Sequence, residues 1–133
     1  MRTVFKLDLR LIFVNKIQEE VKLISKRLSE VKQIKMAILF GSVAKGNARN
    51  GSDIDICIVE DKGTSKALEF SSKRFDISNF FNLPIYIQHR IFKEGKVLFC
   101  KDEKLLTKLK FWTYTKYLDE KHWRDRFTKK VLS

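Results

Sequence analysis

From residue 15 onward the chain carries an apolar stripe: Ile17, Val21, Ile24, Leu28 and Val31, at spacings of four, three, four and three. The other face carries lysines and glutamates. That period is one face of an amphipathic helix, so a helix is expected over residues 15–33. The preceding stretch, Met1–Val14, alternates only loosely through Phe5, Leu7, Leu9, Leu11 and Phe13. It fits a strand or the approach to the helix.

The period then changes. Ile34–Phe40 is a short apolar run ended by Gly41, the pattern of a buried strand. Ser42–Gly46 follows as a turn or short helix. Asp53–Glu60 alternates, with Ile54, Ile56 and Ile58 on one face and Asp53, Asp55, Cys57 and Val59 on the other. Asp61–Ser72 holds Gly63 and many polar residues, so it is mostly loop. A third strand is expected over Lys73–Asn79. Leu83–Pro84 opens a helix with Pro in its first turn, Ile87, Ile91 and Phe92 on its apolar side, and Gly95 as its cap. Lys96–Cys100, "KVLFC", is a fourth strand. Asp102 caps a long last helix over residues 102–130, in which Leu105, Leu109 and Trp112 are expected to face the core. Trp123 and Phe127, flanked by charges, suit a core position no better than a contact with a partner or a second copy.

The order α–β–turn–β–β–α–β–α is that of an α+β fold. It implies a small mixed sheet of about four strands flanked by helices. No repeat, low-complexity segment or linker interrupts it. A single domain over residues 1–133 is expected, with its core at about 34–103.

Composition narrows the class. The chain is 44% hydrophobic and 33% charged, which is globular rather than disordered. No apolar run approaches the roughly 20 residues of a membrane span. Val4–Val14 is broken by Lys6, Asp8 and Arg10 and lacks a small-residue cleavage site. A cytoplasmic protein without a membrane partner is expected. Cys57 and Cys100 are too few for a disulfide framework or a zinc site, and suit buried thiols. The net charge of +12 suggests either an anionic partner or a solubilising lysine-rich surface. The lysines are spread along the chain and no Arg-rich block is present, so charge alone does not argue for nucleic acid. His89 and His122 are lone, expected at the surface, and given no catalytic role.

Chemistry concentrates in "LFGSVAKGNARNGSDIDICIV", Leu39–Val59. Gly41 ends a strand, where the lack of a Cβ lets backbone N–H groups approach a ligand. Ser42 adds a hydroxyl at the start of a turn or helix, a place that favours an anion. Gly41 and Gly46 also fit the glycines of a P-loop, but the Lys and Ser/Thr that must follow are Asn47 and Ala48, so that reading is rejected. Asp53 and Asp55 point to the same face of a strand, roughly 7 Å apart at Cα. Two half-buried carboxylates need compensation, and Mg²⁺ supplies it through oxygen ligands. Ser52-Asp53 could be turn residues instead, but that does not account for Asp55 with apolar neighbours on both sides. A third acid would complete a two-ion site. Asp76, between Phe75 and Ile77, is the best candidate, with a strand-edge charge as its alternative. Glu60 and Asp61, at a strand exit, are weaker ones.

The stretch "GSVAKGNARNGSDIDICIV" resembles the signature of the DNA polymerase β-like nucleotidyltransferase superfamily. The whole is most similar to the minimal nucleotidyltransferases, over roughly Ile34–Glu103. "LPIYIQHRIFKEGKVLFCKDE" resembles the helix–strand segment that follows in them. Gly41 and Ser42 match the Gly-Ser pair, Asp53 and Asp55 the paired metal-binding aspartates, and Asp76 the third carboxylate. The N-terminal helix and the aromatic last helix lie outside the signature, and the link from second to third strand is short. The resemblance implies the polymerase β-like fold and transfer of AMP from ATP, or another nucleotide from its triphosphate, to a hydroxyl. The phosphates would sit at Gly41 and Ser42, with Lys45 adding charge there unless it is an ordinary exposed turn lysine. Asp53, Asp55 and Asp76 would hold two Mg²⁺ ions, and Asp76 would assist deprotonation of the acceptor. A HEPN-domain toxin is the partner it implies, a tyrosine of that toxin the acceptor, and antitoxin the role. Two other readings stand beside it: a silent antitoxin that neutralises by docking, and a nucleic-acid binder suggested only by charge. The aromatics of the last helix also admit a homo-oligomer.

Overall fold

The change of hydrophobic period at residue 34 marks where helix gives way to sheet. The computed structural model describes residues 9–46, 53–60 and 67–132. Helix α1 (Leu9–Ser29) leads into strand β1 (Ile34–Phe40), followed by the one-turn helix α2 (Gly41–Ala44) and strand β2 (Ile54–Glu60). A second one-turn helix, α3 (Ala67–Phe70), precedes strand β3 (Phe75–Asn79). A 3-10 turn at Phe80–Asn82 then leads to helix α4 (Ile85–Glu94), strand β4 (Lys96–Cys100) and helix α5 (Glu103–Leu132).

The strands lie in the order β3-β2-β1-β4. β1 runs antiparallel to β2 and β4, while β2 and β3 are parallel. The sheet is therefore mixed, as expected. A parallel pair cannot be closed by a tight turn, so the chain crosses over between β2 and β3, and α3 lies in that connection.

Alternation sends the apolar residues to two cores, with a register shift between Ile34 and Met36 carrying Ile34 to the α1 side. Ala37, Leu39, Ile54, Ile56, Ile58 and Ile77 meet Ile17, Val21, Ile24 and Leu28 of α1. Met36, Ile38, Cys57 and Val59 meet Phe80, Ile91, Leu106 and Leu109 on the other side. Both faces of β2 are thus covered, which is why its apolar run is interrupted only at Asp55. Cys57 is buried, which pushes its thiol well above the usual range, and Cys100 is half-buried; both are free.

Several boundaries differ from the sequence pattern. α1 starts at Leu9, so Leu9–Val14 is helical, and it ends at Ser29 rather than residue 33. Lys26 and Arg27 in its last turn suit the negative end of the helix dipole. The connection expected as loop contains α3, whose Phe70 packs against the α1-side core. Pro84 precedes α4 as its N-cap instead of sitting in the first turn. Gly95 does end α4, but at φ −76°, so no left-handed conformation is involved. It is needed for close approach: a Cβ there would strike the Ile91 carbonyl and lie 2.8 Å from Ile38 Cγ2. Asp102 caps α5 as expected, its Oδ1 accepting the Leu105 N–H at 3.1 Å.

Two expectations about α5 and α4 are corrected. Trp112 is 47% exposed, not core. Leu106, Leu109 and Thr113 take the inward positions, and Trp112 falls one residue off that stripe with Lys116 Nζ 4.8 Å from its ring. His89 is half-buried, its ring stacked on Tyr117 at 3.7 Å. His122 is exposed, as expected. Asn47, Ala48, Ser52, Asp61, Gly63 and the stretch 1–8 lie outside the described residues. No helix among the described residues is long and apolar enough to cross a membrane.

Candidate active site

Strand register brings the carboxylates together. Phe40 pairs with Asp55 across β1 and β2, and Asp55 pairs with Asp76 across β2 and β3. Neighbouring strands are about 4.8 Å apart, so Asp55 and Asp76 are side by side. Their neighbours Ile54, Ile56 and Ile77 pack toward α1, which leaves both acids on the opposite face. Asp53 is exposed just before β2 begins, and Asp76 is also exposed.

Asp55 is half-buried and its carboxyl is raised above the usual range. Burial is the largest cause, followed by the charges of Asp76 and then Asp53. Asp55 therefore feels both of the other acids at one end of the sheet. Among the described residues, however, no three His, Cys, Asp or Glu side chains close into a metal cage.

Gly41 joins this cluster to the turn. Its φ is +77°, the left-handed region that favours glycine. A Cβ at this position would collide with Asp55 Oδ2. Glycine is thus required twice, once by the backbone and once by the carboxylate beside it. No side chain caps the start of α2, so its first N–H groups have no side-chain acceptor.

A cavity of ≈ 350 Å³ opens beside the turn, lined by Phe40, Gly41, Ser42, Lys45, Ile87, Arg90 and Glu94. Lys45 Nζ lies 3.0 Å from Glu94 Oε2. The hydrogen bond from Lys45 holds the Glu94 carboxyl below the usual carboxylate range. Gly41, Ser42 and Lys45 therefore share one cavity, with Asp55 against Gly41. Arg90 was not anticipated. The signal was available: with Pro84 opening a helix and Ile87 and Ile91 inward, Arg90 falls beside Ile87 and one turn from Glu94.

The strand that carries Asp76 is pinned at its start. Ser71 Oγ accepts from the Ile77 N–H and donates to the Ile77 carbonyl, each at 3.3 Å. Arg74 accepts the Ile54 N–H through its carbonyl at 2.9 Å. Its guanidinium grips both oxygens of Glu20 on α1, at 2.8 and 3.2 Å. The Arg74 carbonyl continues the Asp55–Asp76 pairing by one residue, and nothing in local sequence announced these contacts.

Comparison with known proteins places this architecture. The family "Polymerase beta, Nucleotidyltransferase" matches residues 22–104. A candidate protein adenylyltransferase of Methanocaldococcus jannaschii is 40% identical over 92 residues, covering 66% of this chain and 68% of that one. A toxin–antitoxin structure with AMP-PNP superposes at a TM-score of 0.68 with 19% identity, covering 86% of this chain and 98% of that chain. A structure of tri-AMPylated Shewanella oneidensis HEPN toxin in complex with MNT antitoxin gives 0.59 and 16%, covering 93% and 99%. At such identities the structural matches establish the fold. The matched segment, which includes the whole sheet, and the 40% identical relative establish more: the chain belongs to the polymerase beta nucleotidyltransferase family.

Proposed function

We propose that this chain transfers AMP from ATP to a hydroxyl of a protein acceptor, a tyrosine of a HEPN-domain partner, and so acts as an antitoxin. The observation that carries the reading is the Asp55–Asp76 pairing set directly against Gly41. The adenylyltransferase relative and the fold shared with toxin–antitoxin chains support the substrate and the partner.

The ATP phosphates would lie at Gly41 and Ser42, against the uncapped first turn of α2. Arg90 would add positive charge there, and so would Lys45 once shared between Glu94 and phosphate. Asp53, Asp55 and Asp76 would hold Mg²⁺. Their donor set suits it: all oxygen, with Asp76 and Asp53 both acting on the Asp55 carboxyl, and not closed into a cage, so phosphate oxygens would complete the coordination. When bound, Mg²⁺ neutralises charge on the phosphates and on the incoming oxygen. Asp76, the exposed member of the pair, would accept the acceptor's proton. The oxygen bonds to the α-phosphorus, the bond to the bridging oxygen breaks, and pyrophosphate leaves. The chain's contribution is alignment and electrostatics.

The test is incubation with labelled ATP, Mg²⁺ and a HEPN-domain protein. Label is expected on a partner tyrosine, with pyrophosphate released in equal amount. No transfer, with neutralisation surviving Asp53→Ala plus Asp55→Ala, would establish docking alone and overturn the enzymatic reading.

A further inference from the structure

A second cavity, of ≈ 610 Å³, lies between α4 and α5. It shares no lining residue with the cavity beside Gly41: His89 and Lys93 face this one, and Ile87, Arg90 and Glu94 the other. Its size is that of small-molecule sites. Three features of its wall are unexplained by folding.

The first is charge. Lys93, Lys110 and Lys121 line the cavity and no acid does. None of the three is ion-paired with a described residue. Three ammonium groups around a concavity with no carboxylate in its wall favour an anion.

The second is an aromatic stack. His89 and Tyr117 stack at 3.7 Å with planes 1° apart, and the Tyr114 ring lies 6.1 Å from His89. Burial and then the charge of Lys93 lower the His89 pKa, so its ring is neutral at neutral pH. A neutral stack of this kind is a surface for another ring.

The third is Thr113. It is 1% exposed, lines the cavity, and its hydroxyl has no hydrogen-bond partner. On the same helix Thr107 and Thr115 bond back to the Glu103 and Phe111 carbonyls, at 3.0 and 2.8 Å. Thr113 does not. A buried hydroxyl without a partner destabilises the fold, and a ligand atom would satisfy it.

We propose that this cavity binds a planar aromatic anion of nucleoside-monophosphate size. Its ring extends the His89–Tyr117 stack, its anionic group lies among the three lysines, and one polar atom bonds Thr113. The site is separate from the proposed transfer site and does not depend on that reading.

AMP is a suitable probe, added to the full chain in EDTA and followed by backbone amide shifts. The amides of His89, Thr113 and Tyr117 are expected to move and saturate. Adenosine and inorganic phosphate, each carrying half the recognition, are expected to bind about ten-fold more weakly or worse. Lys93→Ala plus Lys121→Ala, both on exposed lysines, weakens AMP about ten-fold and leaves the rest of the spectrum in place. Thr113→Val weakens AMP binding while raising the thermal midpoint, because it removes the unsatisfied hydroxyl. A threonine with a purely structural role would not move the two in opposite senses. The proposal is overturned by AMP shifts confined to Gly41–Lys45, by no saturable shift at all, or by inorganic phosphate binding as well as AMP.

Discussion

Asp55 occupies a place that raises the cost of its own charge. Its carboxyl is half-buried, beside Asp76 and near Asp53, and its folded pKa lies above 3.8. The folded state therefore holds more proton than the unfolded state across that interval, and stability falls as pH rises through it. Asp55→Asn is expected to stabilise the fold at neutral pH, by an amount kept small by the group's partial exposure. The gain should disappear as pH falls to the unfolded carboxylate range, which thermal melts across pH would show. In the proposed reaction the same change is expected to lower AMP transfer about 100-fold or more, because the charge stabilisation assigned there to that carboxylate would be lost. Gly41→Ala should fail in both measurements. The left-handed backbone costs about 1–2 kcal/mol for a residue with a Cβ, and the methyl group pushes Asp55 aside. Denaturant melts and the transfer assay check this together.

At the scale of elements, β3 is the vulnerable one. It is short, lies at the sheet edge, and carries Asp76. Two residues before the strand hold it: the Arg74 carbonyl bonds to β2, and Ser71 bonds to Ile77 within β3. Ser71→Ala removes two hydrogen bonds and is expected to cost about 1–2 kcal/mol. Amide exchange at Ile77 should accelerate while exchange in β1 keeps its rate. If the register positions Asp76 for proton transfer, the rate of AMP transfer falls and the KM for ATP does not. Gly95 shows how tightly α4 meets the sheet, with the Ile91 carbonyl and Ile38 occupying the space a side chain would need. That tightness keeps Arg90 and Lys45's partner Glu94 at the mouth of the first cavity.

At the scale of the molecule, stability and surface separate along α5. Leu106, Leu109 and Thr113 are buried, whereas every residue from Leu118 to Lys130 is exposed. Trp123 and Phe127 are 73% and 63% exposed and face no core. Trp123→Ala plus Phe127→Ala is expected to change unfolding free energy by less than about 0.5 kcal/mol. Capture of the HEPN-type partner should weaken if these rings contact it, since exposed aromatics concentrate interface energy. A melt and a pull-down on the same double variant separate the two roles.

Local sequence determined much of this protein. The spacing of Ile17, Val21, Ile24 and Leu28 placed α1, because a 3.6-residue period has one buried face. Alternation around Ile54, Ile56 and Ile58 placed β2 and assigned its two faces, because a strand has a period of two. Gly41, Ser42, Asp53 and Asp55 are close in the chain, so their shared neighbourhood could be read before the fold was known. The ends of α1, the helical turn at α3 and the exposure of Trp112 could not. Each depends on what the rest of the chain leaves room for. Tertiary structure alone decided that Asp76 lies in register with Asp55, that Arg90 joins the Gly41 cavity, and that Glu20 reaches Arg74. Those contacts join residues far apart in sequence, and no local period records which strand edge or helix face will meet another.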